Sequence, residues 1–379
     1  MGASPLYRQI YDHILSQIQS GQLEPGDRVP SEKELADDFQ VSRITSKKAL
    51  DLLCQDQIIE RIQGKGSFIS KSGRRPAEAA APTEPAVPET SRFTLGVVLP
   101  EFADSYGAGI IRALEEQCRR HGAHLILKLT NDDSEREEQA LSELEELGVD
   151  GFVVFPISGK HYNSKILELV VKDVPLVLVD RHLRGIPASS VSTDHRLATV
   201  EATQHLFALG HENIGFLSRP PVGTSAIEER LQGFYMAYSQ RASKLTPGSM
   251  LTNLSGAFGG AEALERDCGR IAAFVERNPE MTAFVACEYS VAVALEYALQ
   301  RLGRTIPGHY SVVCFDSPPS GIGHPRFTHI RQDEAEIGRT AVERIVEQLN
   351  GDQVPQHTFI GYALIEGRST RSISQNRAE

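Results

Sequence analysis

Residues 72–91, from Ser72-Gly73-Arg74-Arg75 to Pro88-Glu89-Thr90-Ser91, carry four prolines and five alanines and almost no bulky apolar side chain. Such a stretch buries too little apolar surface to offset the entropy of ordering it, so it belongs to no core and reads as a semi-extended tether. It divides the 379 residues into a short piece and a long one, and each must build its own core. The expected organisation is a domain at 1–71, a linker at 72–91 and a domain at 92–379. A loose tether transmits little torque. Any signal between the pieces therefore has to act through dimer geometry or domain docking.

In the short piece, apolar residues recur at helical spacing. Pro5 opens a run of Leu6, Ile10, Ile14 and Ile18 that Gly21 ends, with proline at the start and glycine past the end. Pro25-Gly26-Asp27 is a turn. Ser31 and Glu34 form a capping box for a second, short helix whose inner face is Leu35, Ala36 and Phe39. Ser42 can cap a third helix, with Ala49, Leu50 and Leu53 inward and Arg43, Lys47 and Lys48 left for solvent or a partner. Ile58–Ile62, the turn Gln63-Gly64-Lys65-Gly66 and Ser67–Ile69 read as a β-hairpin. Helix, helix-turn-helix, hairpin is the order of a winged helix-turn-helix. A third helix that opens Ser-Arg-x-Thr, with cations on one face, suits the phosphate-lined groove of double-stranded DNA. Taken alone, the same residues equally describe an amphipathic helix with a solvated basic face.

Pro5-Leu6-Tyr7-Arg8-Gln9-Ile10, Leu23-Glu24-Pro25-Gly26-Asp27-Arg28-Val29-Pro30-Ser31-Glu32-Lys33-Glu34-Leu35-Ala36, Val41-Ser42-Arg43-Ile44-Thr45 and Gly64-Lys65-Gly66-Ser67-Phe68 together resemble the GntR-family DNA-binding domain. The resemblance covers residues 5–70 and implies roles for them. Ser31, Glu32 and Lys33 would approach the DNA backbone. Ser42, Arg43, Thr45, Lys47 and Lys48 would belong to the recognition helix, and Gly64, Lys65 and Gly66 to the wing tip. Arg43 is then the best base or phosphate contact, with Lys47 and Lys65 as phosphate clamps; Lys48 and Lys71 divide evenly between contact and solvated charge. Ser46 departs from the usual Val or Ile and predicts looser packing there. Lys47 stands where Arg is common, and it cannot make Arg's bidentate contact to guanine.

After Phe93 the pattern alternates strand and helix. Thr94–Leu99, Leu125–Leu127, Gly151–Phe155 and Pro175–Asp180 read as buried strands, with helices at Ile110–His121 and Ser134–Leu147. Beyond Asp194 the alternation restarts, with strands at Asn213–Leu217, Ala283–Ala286 and Val312–Asp316. The fold class expected is α/β, two consecutive parallel-sheet lobes with a cleft between them. Ligands in such sheets sit at the carboxyl ends of strands, so the polar residues just past them are the candidates: Glu101, Asp180, Arg181, Asp194, Arg230, Glu288 and Asp316. Acids with a few arginines around a cleft suit a polyhydroxylated ligand. Phe102, Tyr106, Tyr162 and Tyr289 could stack on a sugar's apolar face, Trp being absent. Taken singly, each acid is more simply a helix cap or an exposed charge; only their convergence points to a site.

Residues 93–372 resemble the effector domain of the LacI/GalR family, itself similar to periplasmic sugar-binding proteins. The carrying residues include Leu95-Gly96-Val97-Val98, Val149-Asp150-Gly151-Phe152-Val153, Pro175-Leu176-Val177-Leu178-Val179-Asp180-Arg181, Leu209-Gly210-His211-Glu212-Asn213-Ile214-Gly215-Phe216 and Glu229-Arg230-Leu231-Gln232-Gly233-Phe234. Val312-Val313-Cys314-Phe315-Asp316 and Ile330-Arg331-Gln332-Asp333 continue it. The resemblance implies that Asp180, Thr193, Arg230, Asp316 and Gln332 line the cleft. The sequence departs from the family at Cys287-Glu288, at Ser317 and around Asp104-Ser105-Tyr106, all positions that bear on which ligand fits.

Charge and cysteine usage set further bounds. Residues 1–75 hold 11 Lys+Arg against 10 Asp+Glu, about +1, and the remainder holds 28 against 40, or −12. An acidic bulk limits non-specific adhesion to nucleic acid. The five cysteines are odd in number and scattered, which suits reduced thiols in a cytoplasmic protein and not a disulfide frame or zinc site. No apolar run is long enough to span a membrane, and the N-terminus lacks a signal-peptide pattern. The sequence contains no GxSxG, GxxxxGK[ST] or HExxH motif, and no cofactor or metal is expected. The function expected is a ligand-responsive transcriptional regulator, a repressor of carbohydrate catabolism. It would bind operator DNA as a homodimer and change affinity when a sugar closes the cleft. The same architecture sensing a nucleobase or another metabolite is the alternative, with an enzyme acting on the cleft ligand further behind.

Overall fold

The computed structural model describes residues 6–19, 22–23, 25–39, 41, 43–55, 58–62, 66–70, 93–157, 163–243, 245–246, 248–256, 260–319 and 323–373. The tether expected at 72–91 lies outside the described residues. The chain divides into two compact units, Met1–Ala86 and Val87–Glu379.

The first unit contains α1 (Leu6–Gln19), α2 (Glu32–Asp38), α3 (Arg43–Gln55), β1 (Ile59–Ile62) and β2 (Gly66–Ile69). Its core is the set that the helical spacing selects: Ile10, Ile14, Leu35, Ala49, Leu50 and Leu53, closed by Ile59 and Ile69 of the hairpin. The capping box forms reciprocally. Ser31 N donates to Glu34 Oε2 at 2.7 Å and Glu34 N donates to Ser31 Oγ at 3.3 Å, satisfying donors that the first turn of α2 leaves free. β1 and β2 pair antiparallel, Ile59 opposite Ile69 and Ile62 opposite Gly66. The end of the Pro25-Gly26-Asp27 turn and the residues after it extend this hairpin: Ile69 N donates to Asp27 O at 2.8 Å and Val29 N to Ser67 O at 2.9 Å. Ser46 is fully buried, so the smaller residue is accommodated inside the unit.

The second unit runs β3 (Thr94–Leu99), α4 (Ala108–Arg120), β4 (His124–Leu129), α5 (Ser134–Glu146), β5 (Gly151–Val154), α6 (Ser164–Val171), β6 (Leu176–Val179), β7 (Ser189–Thr193) and α7 (His195–Ala208). It continues with β8 (Ile214–Leu217), α8 (Ser225–Gln240), β9 (Met250–Leu251), α9 (Gly260–Arg277), β10 (Ala283–Ala286), α10 (Tyr289–Arg301), β11 (Ser311–Phe315), β12 (Thr328–Gln332), α11 (Glu334–Leu349), β13 (His357–Ile360) and β14 (Tyr362–Ile365). Two six-stranded sheets result, ordered β13-β7-β6-β5-β3-β4 and β14-β12-β11-β10-β8-β9. The two sheets share one strand order, differing in the direction of the edge strand. The first sheet is parallel throughout, and in the second only β14 is antiparallel, against β12.

Both faces of each sheet are buried, and the period of two along a strand sorts its residues. Val97, Val153 and Val177 face α4 and α11, while Val98, Val154 and Leu178 face α5 and α6. In the second sheet Val313 and Phe315 face α7 and α8, whereas Val312 and Cys314 face α9 and α10.

The two lobes are not consecutive, as the alternation had suggested. α7 follows the last inner strand of the first lobe but packs on the second, with Ala198, Ala202 and Leu206 in the cluster of Phe216 and Phe234. α11 follows β12 of the second lobe but packs on the first, placing Ile337, Ala341 and Ile345 beside Leu95 and Val97. A third crossing joins β13 to β14.

Both exchanged helices rest on glycine contacts. A Cβ added at Gly233 of α8 would lie 2.3 Å from Arg196 O of α7, and one added at Gly338 of α11 would lie 2.8 Å from Ile110 O of α4. Gly233→Ala and Gly338→Ala should each destabilise the unit by about 1–3 kcal/mol through overpacking. Gly269→Ala, on α9 where the added carbon meets nothing within 4 Å, should instead stabilise by about 0.5–1 kcal/mol. Denaturant unfolding of the three variants decides this: a Gly233→Ala chain as stable as Gly269→Ala would mean the helices are not so closely apposed.

Candidate functional site

A cavity of about 580 Å³ lies between the two lobes of the second unit. Asp180 follows β6 and Asp316 follows β11, at equivalent places in the twin sheets. Each turns the chain out of its strand in the left-handed region, with φ of 64° and 63°, a conformation that Asp adopts more readily than most non-glycine residues. Each is anchored to the adjoining strand: Asp180 N donates to Val191 O at 3.0 Å and Asp316 N to Ile330 O at 2.8 Å. One carboxylate from each lobe thus enters the cleft.

From the first lobe, Tyr106 donates its hydroxyl to Asp180 Oδ1 at 2.7 Å. Burial raises the Tyr106 phenol well above its ordinary range, with the Asp180 charge adding to it, so the hydroxyl stays a donor. Arg181 donates to Pro156 O at 2.8 Å and lies 4.8 Å over the Phe155 ring.

From the second lobe, Arg230 lies 3.9 Å over the Phe315 ring and donates from Nη1 to Cys287 O. Its Nε donates to His195 Nδ1 at 3.3 Å. Burial, and then the Arg230 charge, push the His195 imidazole down to about 3, so the ring is neutral. Nδ1 accepts from Arg230, so the ring proton sits on Nε2, which donates to Asp180 O at 3.2 Å. Gln332 Nε2 donates to the Asp316 carboxyl at 3.0 Å and 3.2 Å. Burial pushes that carboxyl up to about 8, against the opposing pull of Arg230 and Gln332.

Glu101, Phe102, Tyr106, Asp180, Arg181, Arg230, Glu288 and Asp316 all line the cavity. Thr193 and Gln332 do not. Thr193 is fully buried at the end of β7, and Gln332 is buried too and donates to Asp316, which does line the cavity. Both keep a buried oxygen with no hydrogen-bond partner among the described residues: Thr193 Oγ1 and Gln332 Oε1.

Two other candidates are placed differently from their sequence reading. Asp194 caps α7, accepting from Leu197 N at 2.9 Å, and Arg230 sits within α8, not just past a strand. Of the aromatics, Tyr289 lines the cavity and Tyr162 lies outside the described residues. Sequence reasoning missed His195, whose only signal was its place beside the capping Asp194. It also missed Arg219, whose guanidinium grips Glu288 from Nε at 3.1 Å and Nη2 at 2.9 Å.

In the first unit, Lys33 and Lys47 are exposed, Ser31 and Thr45 are half-buried, and Gly66 opens β2 with φ of 110°. Glu32 and Arg43 open α2 and α3 and Lys48 lies in α3, while their side chains, and Ser42, Gly64 and Lys65 altogether, lie outside what is described. Arg28 joins this surface without having been singled out. It is exposed, and its Nε would lie 3.4 Å from a Cβ at Gly66. Among the described residues no three His, Cys, Asp or Glu side chains are grouped to hold a metal, and no helix is long and apolar enough to cross a membrane.

Comparison with known proteins agrees with both halves of this geometry. Residues 6–69 match the bacterial regulatory proteins of the gntR family and residues 203–370 match the periplasmic binding protein-like domain. The chain joins a gntR-type regulatory head to a periplasmic-binding-protein-like domain.

Over 378 residues, 97% of this chain and 98% of the relative, it is 28% identical to the arabinose metabolism transcriptional repressor of Geobacillus stearothermophilus. The binding-protein-like domain shares its fold with a LacI family transcriptional regulator from Enterococcus faecium solved with bound ribose. The TM-score is 0.61 at 22% identity, over 74% of this chain and 100% of that one. It also shares its fold with the lac repressor dimer bound to operator and an anti-inducer, at TM-score 0.62 and 19% identity, over 75% of this chain and 96% of that one.

The raised Asp316 carboxyl has a pH signature. Unfolded, the acid titrates near 3.8, and folded near 8. Its favourable contribution is therefore complete below the first value and lost as pH rises through the second. Asp316→Asn keeps the left-handed turn and removes the titration. The wild-type chain should lose stability relative to Asp316→Asn between these two limits, measured by denaturant unfolding across the range; parallel curves would place a charged carboxylate in the folded cleft.

Proposed function

We propose that this chain is a sugar-responsive repressor of transcription. In this reading residues 1–71 bind operator DNA, 72–91 tether, and 92–379 bind the sugar and form a cytoplasmic homodimer. The observation that carries the reading is a gntR-type head on the same chain as a two-lobed cleft lined by Asp180 from one lobe and by Arg230 and Asp316 from the other. Paired sugar hydroxyls both donate and accept, so they can use a carboxylate and a guanidinium together. The named repressor of arabinose metabolism, similar along nearly the whole chain, supports the same conclusion. On the head, Ser31, Lys33, Thr45 and Lys47 are the proposed backbone and groove contacts, with Arg28 beside the wing.

A ligand that touches both lobes binds the closed cleft better than the open one, and only that difference shifts the equilibrium between them. In a dimer, closure changes the separation of two heads that must meet two half-sites together, which weakens operator binding without altering a base contact.

Two measurements test this with the full chain. Lys47→Ala should weaken operator binding and reduce the salt slope by about one ion, the loss of one phosphate contact. Asp316→Ala should weaken binding of the inducing sugar about ten- to a hundred-fold by calorimetry, the range for a lost charge-assisted hydrogen bond, while operator affinity without sugar holds. A panel in which purine nucleosides bind and no pentose or hexose does would reassign the cleft.

A further inference from the structure

We infer that the second lobe carries another ligand site, separate from the cleft, that takes a phosphate group, either as the free ion or on a small metabolite. It lies in a cavity of about 420 Å³ lined by Glu296, Ile306, His324, Arg326, Phe327 and Arg368, none of which lines the cleft.

The backbone brings these cations together. Arg326 stands just before β12 and Arg368 just after β14, and the two strands pair antiparallel. Both arginines therefore fall at the end of the pair opposite Gln332 and the cleft. The two segments are tied to each other there. Arg368 N donates to Pro325 O at 3.1 Å, Gly367 N to Thr328 Oγ1 at 3.0 Å and Thr328 N to Ser369 Oγ at 2.8 Å. Gly367 permits the approach, since a Cβ there would lie 2.4 Å from the Phe327 carbonyl carbon. The Arg368 side chain lies against the same segment, its Nη2 3.3 Å from the place of a Cβ on Gly323.

The charges in this cavity do not cancel. Glu296 of α10 is the one carboxylate in the lining, and Arg326 already pairs with it while lying 5.3 Å over the Phe327 ring. Among the described residues the side chains of Arg368 and His324 have no ion-pair or hydrogen-bond partner. Residues 76–379 hold 28 Lys and Arg against 40 Asp and Glu, so a cavity with a spare guanidinium runs against the charge of its own domain. It offers an anion an attractive position. The guanidinium fork matches two oxygens of a phosphate, and a tetrahedral anion keeps further oxygens for His324 and Arg326. A planar carboxylate has only two to share. The volume lies within the range of roughly 300–1,000 Å³ usual for small-molecule sites, and Ile306 adds an apolar side chain to the lining, so there is room for a carbon body beside the phosphate.

Calorimetry on the full chain at fixed ionic strength tests this with inorganic phosphate, phenyl phosphate and succinate, the last a dianion without a phosphate group. Both phosphate probes should bind more tightly than succinate. Arg368→Gln, an exposed substitution, should weaken both about ten- to a hundred-fold, the range for a lost charge-assisted hydrogen bond. Arg368→Lys should recover part of that loss, because it restores the charge without the fork. Phenyl phosphate binding several-fold more tightly than inorganic phosphate would identify a phosphorylated metabolite as the ligand; equal affinities would identify the free ion. Three results would overturn the site: no binding of either phosphate probe, succinate binding as tightly as they do, or phosphate binding that survives Arg368→Gln and so takes place elsewhere on the chain.

Discussion

Everything in the second unit depends on two helices that leave one lobe and complete the other. α7 starts from the end of β7 and closes the apolar face of the opposite sheet, and α11 does the same in reverse. Neither lobe has a finished core without the helix supplied by its neighbour. Because interiors are close-packed, such an exchange works only where the backbones can approach, which Gly233 and Gly338 permit. The crossings also carry the chemistry. Thr193-Asp194-His195 and Gln332-Asp333-Glu334 are the strand-to-helix junctions, and from them come the ring that holds Arg230 and the amide that holds Asp316.

The cleft is an electrostatic compromise, and its partners show which groups are committed and which are available. Arg230 is immobilised on three sides, by His195, by Cys287 O and by the Phe315 ring. His195 can serve it only while neutral, and burial keeps it so. Asp316 is the complementary case: buried, short of donors and pushed toward its protonated form. A ligand that donates hydrogen bonds to it favours the ionised form, so binding should release a proton at pH values below the folded transition.

Much of this was legible in the residues. Periodicity located the strands that are long and apolar, because a run such as Leu176-Val177-Leu178-Val179 has only one place to go. It missed β7, since Ser189-Ser190-Val191-Ser192-Thr193 reads as a polar loop although every residue in it is buried. Those hydroxyls are accommodated by the neighbouring backbone: Ser189 Oγ donates to Pro355 O and Ser190 Oγ to Gln356 O. That contact spans more than a hundred and sixty residues of chain, which no local pattern encodes. Missing β7 hid the crossing after it, and with the crossing went His195 and the interleaving of the lobes. The carboxylates Asp180 and Asp316 were found because they follow recognisable strands. Arg219 was missed because nothing in its own segment announces the Glu288 it meets. In the head, the capping box of Ser31 and Glu34 was readable in four residues, whereas the pairing of Asp27–Val29 with β2 closes a loop of about forty residues and was not.

The duplicated frame makes the differences between its halves informative. Asp194 and Asp333 cap equivalent helices in the same way, accepting from Leu197 N and Glu336 N. The next residue then diverges. His195 turns toward Arg230, while Glu334 accepts from Gly107 N, Gly109 N and Ile110 N and so caps α4, the helix that α11 packs against. That carboxylate at a helix N-terminus meets orphan donors and a favourable dipole, and its role is to fix the helix next to Tyr106. The first lobe therefore brings Tyr106, Asp180 and Arg181 to the cleft, and the second Arg230, Glu288 and Asp316, the last held nearer neutrality. These two halves, built on one topology, bring different polar groups to the same cavity.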